Sequence, residues 1–92
     1  SDLAPSSFSL QPCYPNPFNS ATVVTYALPK RTLLALRVYD LAGREAATLF
    51  DGIQEAGRHN VIWNADGQAA GIYFLRMEAQ GFRKTGKMAM VK

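Results

Sequence analysis

One cysteine and one histidine among 92 residues set the first limits on what this chain does. Cys13 has no partner within the chain, so no intrachain disulfide supplements the fold. It reads as a small apolar filler, with an intermolecular or reactive thiol as the alternative, and no His or Lys stands next to it to lower its pKa. His59 gives no serine a general base with an orienting acid at motif spacing. It falls on the same strand face as Val61 and Trp63, the place of a half-buried structural imidazole. No Asp-x-Asp loop gathers oxygen ligands for Ca²⁺. Asp40, Asp51 and Asp66 each fall in a turn, where aspartate is favoured for bonds to its own backbone, and only a meeting of the three turns would make a site. No cofactor motif is present and no cofactor is expected. No apolar run approaches the roughly 20 residues of a membrane span, and no segment has signal-peptide anatomy. If the protein is exported, the address lies elsewhere in a longer parent chain or in an unusual place in this one. Charge is sparse, with 18% charged residues and a formal net charge of +3. That balance permits contact with anionic surfaces without demanding it. Its scatter, with no basic–aromatic motif, argues against nucleic-acid binding.

What the chain does have is β-branched and aromatic residues in short alternating runs, punctuated by five prolines and seven glycines. A chain this short holds one core, and its 48% hydrophobic content is that of a globular domain. Residues 1–7 have the small, polar composition of a linker, which leaves 8–92 as the domain. The segment Tyr14-Pro15-Asn16-Pro17-Phe18-Asn19 organises the rest of the chain. Its prolines fix φ and remove two backbone donors, and the residues before them are pushed towards extended geometry. Asn16 and Asn19 are suited to folding back onto the local backbone, with Tyr14 and Phe18 as apolar anchors. The expected part is a rigid lid at one end of the fold.

Phe8-Ser9-Leu10 alternates as a short first strand. In residues 21–28, Val24, Tyr26 and Leu28 share one face, and Leu34, Leu36 and Val38 do the same on the next strand. Asp40-Leu41-Ala42-Gly43-Arg44 reads as a hairpin connection with Gly43 at positive φ. Residues 46–50 read as a weaker strand whose pattern does not separate inside from outside. Asp51-Gly52 and Ala56-Gly57 then bracket a polar loop, and Asn64-Ala65-Asp66-Gly67 is a turn beyond the His59–Val61–Trp63 strand. Gly71 opens a strand with Tyr73, Leu75 and Met77 on one face and Ile72, Phe74, Arg76 and Glu78 on the other. Gln80-Gly81 turns the chain into a closing strand over 85–91, with Met88 and Met90 inward. Six or seven strands at roughly ten-residue spacing and no convincing helix predict an all-β, Ig-like antiparallel β-sandwich of about seven strands. A small barrel of the OB type is the structural alternative.

Five segments carry a resemblance. They are the Tyr14–Asn19 run; Val38-Tyr-Asp-Leu-Ala-Gly-Arg-Glu45; Ala56-Gly-Arg-His-Asn-Val-Ile-Trp63; Gly71-Ile-Tyr-Phe-Leu-Arg-Met-Glu78; and Lys87-Met-Ala-Met-Val-Lys92. In this order and spacing the chain resembles the C-terminal sorting domains of type IX (Por) secretion substrates of the Bacteroidetes and their relatives. Those domains are similar in turn to the Ig-like module of the flagellar hook-capping protein family. The resemblance implies a non-catalytic β-sandwich at the C-terminus of a large exported protein, often a polysaccharide-degrading enzyme. It implies a folded address read by the outer-membrane secretion machinery, after which the parent is released or held at the surface of a Gram-negative cell. Two positions depart from the family pattern. Cys13 stands where a polar residue often precedes the Tyr-Pro-Asn-Pro run, and Ala46 stands where a larger aliphatic is usual, which implies a thinner core on that strand.

Arg83, Lys84, Lys87 and Lys92 form a basic closing hairpin and tail, a candidate recognition edge for the secretion machinery or an anionic envelope component, with strand addition as one physical mode. The plainer reading is a charged edge strand that blocks sheet-to-sheet aggregation. Tyr14, Pro15, Asn16, Pro17, Phe18 and Asn19, together with Gly71 and Tyr73, read as structural motif positions. A rival function is a carbohydrate-binding module. Its sugar-contact aromatics would be the outward Tyr39 and Phe74, because Tyr26, Trp63 and Tyr73 fall on the core face. A plain structural spacer is a third possibility. The domain is expected to be a monomer that does not span a membrane.

Overall fold

The alternating runs become seven strands in a computed structural model that describes residues 5–91. The first four residues of the expected linker, and Lys92 of the expected basic tail, lie outside the described residues. The strands are β1 (Ser9–Leu10), β2 (Ala21–Leu28), β3 (Thr32–Asp40), β4 (Glu45–Gln54), β5 (Gly57–Asn64), β6 (Gly71–Ala79) and β7 (Phe82–Met90). They make two antiparallel sheets rather than a closed barrel, ordered β1-β2-β5 and β4-β3-β6-β7. In a constant-type immunoglobulin domain the fourth strand joins the sheet of the first, second and fifth. Here β4 stays beside β3 as a hairpin, and the chain returns to the first sheet only after it.

Period-two patterning fills the space between the sheets. Val24, Tyr26 and Leu28 from one sheet meet Leu34, Leu36, Val38, Leu75, Met77 and Met88 from the other, all 2% exposed or less. Each large apolar side chain removed from water in this way contributes about 1.5–3 kcal/mol. Polar atoms carried into this layer keep partners. Gln54 Nε2 donates to the Tyr26 hydroxyl at 2.9 Å, and Thr22 Oγ1 donates to the Pro15 carbonyl at 2.8 Å. The Tyr73 hydroxyl donates to the Ala69 carbonyl at 2.5 Å, the tyrosine-corner arrangement of Ig-like sandwiches. Among the described residues no buried side-chain nitrogen or oxygen lacks a partner.

Two expectations about strand limits need correction. Asp51-Gly52 does not begin a loop: β4 runs through it to Gln54, paired residue by residue with β3. The ladder slips between Leu36 and Arg37 and again between Val38 and Tyr39. Each slip breaks the alternation, which explains why residues 46–50 showed no clear inward face. No β4 side chain is fully buried; Ala46, Ala47, Leu49 and Phe50 pack half-buried against the core. The closing strand begins at Phe82 rather than at residue 85, because Gln80 (φ 43°) and Gly81 (φ 85°) make a two-residue turn. Two positive φ values match the right-handed twist of the hairpin. Phe82 then stacks on Phe8 with ring centroids 5.5 Å apart.

Candidate recognition edge

The proline segment acts at long range. After β1 the chain continues along β2: Gln11 N–H donates to Thr25 O at 2.9 Å, and Tyr14 and Val23 exchange two bonds at 3.1 and 2.9 Å. The next two X-Pro bonds are cis, and the chain crosses to the other sheet. Phe18 lies parallel to the end of β7: its N–H donates to Ala89 O and its carbonyl accepts from Val91 N–H, both at 2.9 Å. Just before it, Asn16 Nδ2 donates to Lys87 O and Asn16 Oδ1 accepts from Ala89 N–H, both at 3.0 Å. A side-chain amide and a single residue together imitate a neighbouring strand. Asn16 was expected to bond its own local backbone and instead reaches residues 71 and 73 positions away.

Phe18 is the anchor that was expected, at 1% exposure. Its ring is tilted on Trp63 at 5.6 Å, and Trp63 meets Tyr73 edge-on at 5.1 Å. Four separated sequence segments thus converge on one end of the sandwich. Tyr14 is not an anchor: at 79% exposure it shares the outer face with its partner Val23 and with Ile62 beyond. Backbone pairing, not burial, holds it. Asn19 and Gly71 are exposed, and Gly71 opens β6.

Three of the four predicted edge residues lie on β7. Arg83, Lys84 and Lys87 are all exposed. Arg83 Nη2 is 3.0 Å from Glu78 Oε2, so its charge is already matched. Among the described residues, neither Lys84 nor Lys87 has an acidic partner within ion-pair distance. Beside them a slot of about 220 Å³ opens between the two sheets, lined by Leu10, Cys13, Leu75 and Gly86 with the two lysines at its rim. Cys13 is a free thiol, and burial pushes its pKa up, so it is held protonated, as the apolar-filler reading requires. The slot has no sequence signal except Gly86, an inward-phase glycine between Lys84 and Met88. A glycine inside a strand often marks a gap or a close approach.

The remaining candidates fall elsewhere. Tyr39 and Phe74 are direct partners across β3 and β6, half-buried on the outer face beside a depression of about 300 Å³ that includes Asp40 and Leu41. The Arg76 guanidinium lies 4.6 Å over the Tyr39 ring and covers the face that a sugar would use. Asp40 holds the β3–β4 turn. Its Oδ1 accepts from the N–H groups of Ala42 and Arg44, and those bonds with the Arg44 charge lower its pKa, the Arg44 N–H bond most. His59 stacks on Tyr26 at 5.3 Å, its Nε2 2.7 Å from the Glu55 carbonyl. Asp51 lies in β4 and is held by Arg37 Nη2 at 2.8 Å, so the three aspartates do not gather. Among the described residues no group of three His, Cys, Asp or Glu is placed to hold a metal ion.

A seven-stranded sandwich in which the proline segment closes part of one edge and basic residues line the rest defines a small β-sandwich module. Residues 12–92 match the model of the family described as secretion system C-terminal sorting domain, and the chain belongs to that family, the type IX sorting domains. No curated protein matches the chain. Membership makes this a non-catalytic domain that directs type IX export, engages the secretion machinery, and carries its protein to the cell surface or the medium. No helix among the described residues is long and apolar enough to cross a membrane.

Proposed function

We propose that the domain is the address of a larger secreted, polysaccharide-degrading enzyme, which it delivers across the outer membrane of a Gram-negative cell and attaches to the surface. Its recognition edge is the basic stretch Arg83, Lys84, Lys87 and Lys92, and it acts as a monomer. The observation that carries this reading is that Lys84 and Lys87, beside an uncovered length of β7, have no acidic partner among the described residues. Both lysines face partners outside the fold, either the secretion machinery or an anionic envelope component. The proline corner serves the fold and is not itself the contact.

The test is a reporter fused to residues 1–92 behind an inner-membrane export signal, expressed in a type IX-competent host. The intact domain is expected to place the reporter on the surface, and Lys84→Glu with Lys87→Glu to leave it largely in the periplasm. Equal periplasmic retention of both fusions sinks the reading. Reporter recovered only from the medium removes the attachment part.

The pairing of Tyr39 with Phe74 above a depression favours a second reading, a carbohydrate-binding module. Arg76 lying over Tyr39 weighs against it. A glycan array probed with the intact domain and with Phe74→Ala separates the two: sugar binding lost in the variant would favour the module.

A further inference from the structure

The alternation of β7 decides which of its backbone groups point away from β6. Ala89 uses both its N–H and its carbonyl outward, and Lys87 O and Val91 N–H do the same. By the two-residue period of a strand, the N–H and C=O of Arg83 and Thr85, and the N–H of Lys87, also point outward. The corner ends at Asn16 and gives these groups no partner among the described residues. Directly inward of this uncovered length lies the apolar slot over Gly86. An ideal Cβ built on Gly86 meets nothing within 4 Å.

We infer that β7 accepts an extended peptide as an added strand along residues 83–87, with one apolar side chain of that peptide seated in the slot over Gly86 and acidic residues at the adjacent, outward-facing positions beside Lys87. The inference rests on the reading of β7 as the recognition edge, and it names the ligand: an extended apolar segment flanked by Asp or Glu, supplied by another protein. Main-chain bonds to Arg83, Thr85 and Lys87 supply the affinity, and the slot together with the Lys87 cation supplies the selection. The proline corner sets the register, because it occupies the edge from Lys87 onward and stops an incoming strand there. A membrane headgroup would use the lysines but neither the unpaired backbone nor the slot.

Two substitutions separate this contact from the fold. Thr85→Pro removes an outward N–H that β6 does not use, a position where an edge strand tolerates proline. Gly86→Leu fills the slot from a backbone with room for a side chain. Both variants are expected to keep the wild-type circular dichroism spectrum and to melt within a few degrees of it. The probe is a fluorescein-labelled heptapeptide of alternating Glu and Leu, titrated into the intact chain and followed by fluorescence polarisation. Saturable binding weakened at least about tenfold by each variant, and by a matched peptide of alternating Lys and Leu, is the expected result. No saturable binding up to about 1 mM, or equal binding by wild type and both variants, overturns the inference. The same variants in the reporter fusion keep the two readings apart. Normal export of Thr85→Pro and Gly86→Leu alongside lost peptide binding leaves the added strand real but outside sorting. Failed export of the wild-type fusion alongside intact binding removes the sorting role alone.

Discussion

The two halves of β7 belong to one strand, present the same side of the sandwich, and end differently. From the Lys87 carbonyl to the Val91 N–H the outward groups are taken by Asn16 and Phe18. From the Arg83 N–H to the Lys87 N–H no described residue takes them, and the charged side chains of Arg83, Lys84 and Lys87 stand along that length. Edge strands are managed in both ways, by a covering segment and by lysine, and this strand uses both within nine residues. The difference lies in what stands behind each half. Behind the closed half lie Phe18, Trp63 and Met90, all under 5% exposed; behind the open half lies a slot.

The strongest way to break the contrast is Phe18→Ala. Removing a fully buried aromatic costs about 3–5 kcal/mol, a large share of the total stability of a domain this size. The melting temperature should fall by roughly 4–8 °C for each kcal/mol lost. A fall of only a few degrees would mean that the corner does not anchor the closed half. Asn16→Ala is gentler and more selective. It deletes two exposed hydrogen bonds worth about 1–2 kcal/mol together, and it should speed amide exchange at Ala89 more than at Met88, whose N–H points to β6. Unchanged exchange at Ala89 would show that the Asn16 bonds do not persist in solution.

Tyr73→Phe removes the bond to Ala69 O and should cost about 1 kcal/mol without altering β7 exchange, which confines the effect to the β5–β6 connection. Lys84→Glu should leave stability within about 0.5 kcal/mol while changing whatever the open half binds. Asp40 lies outside the contrast and serves as its control. Its carboxyl is more acidic folded than unfolded, so its contribution is complete above the ordinary carboxylate range and is lost as pH falls through the folded value. Stability should decline below about pH 4. Asp40→Asn should flatten that part of the acid limb, since the amide oxygen still accepts from Ala42 and Arg44. Urea midpoints at neutral and acid pH check it.

The sandwich and most of its core were readable from the sequence because Leu34, Leu36 and Val38, or Tyr73, Leu75 and Met77, obey a strict period and face one layer. β4 was not, since two register slips scramble its alternation. Tyr14 misled because its ring is aromatic and next to proline, yet its partner Val23 puts it on the outer face. The basic residues of the closing hairpin stand out in composition. The slot does not, because Leu10, Cys13, Leu75 and Gly86 are neighbours only after the sheets have packed. Asn16 gives no local sign of its role, since both of its bonds span more than seventy residues.

Those two bonds also have a consequence in time. Of the seven strands β7 is the last to be synthesised, and it carries the groups that Asn16 and Phe18 clasp. The corner therefore waits, made but unlatched, through the synthesis of six strands. Closure over so long a loop is slow relative to local pairing. A product cut short before residue 87 has no clasp to close, so the finished domain is itself a record that its chain was read through at least that far.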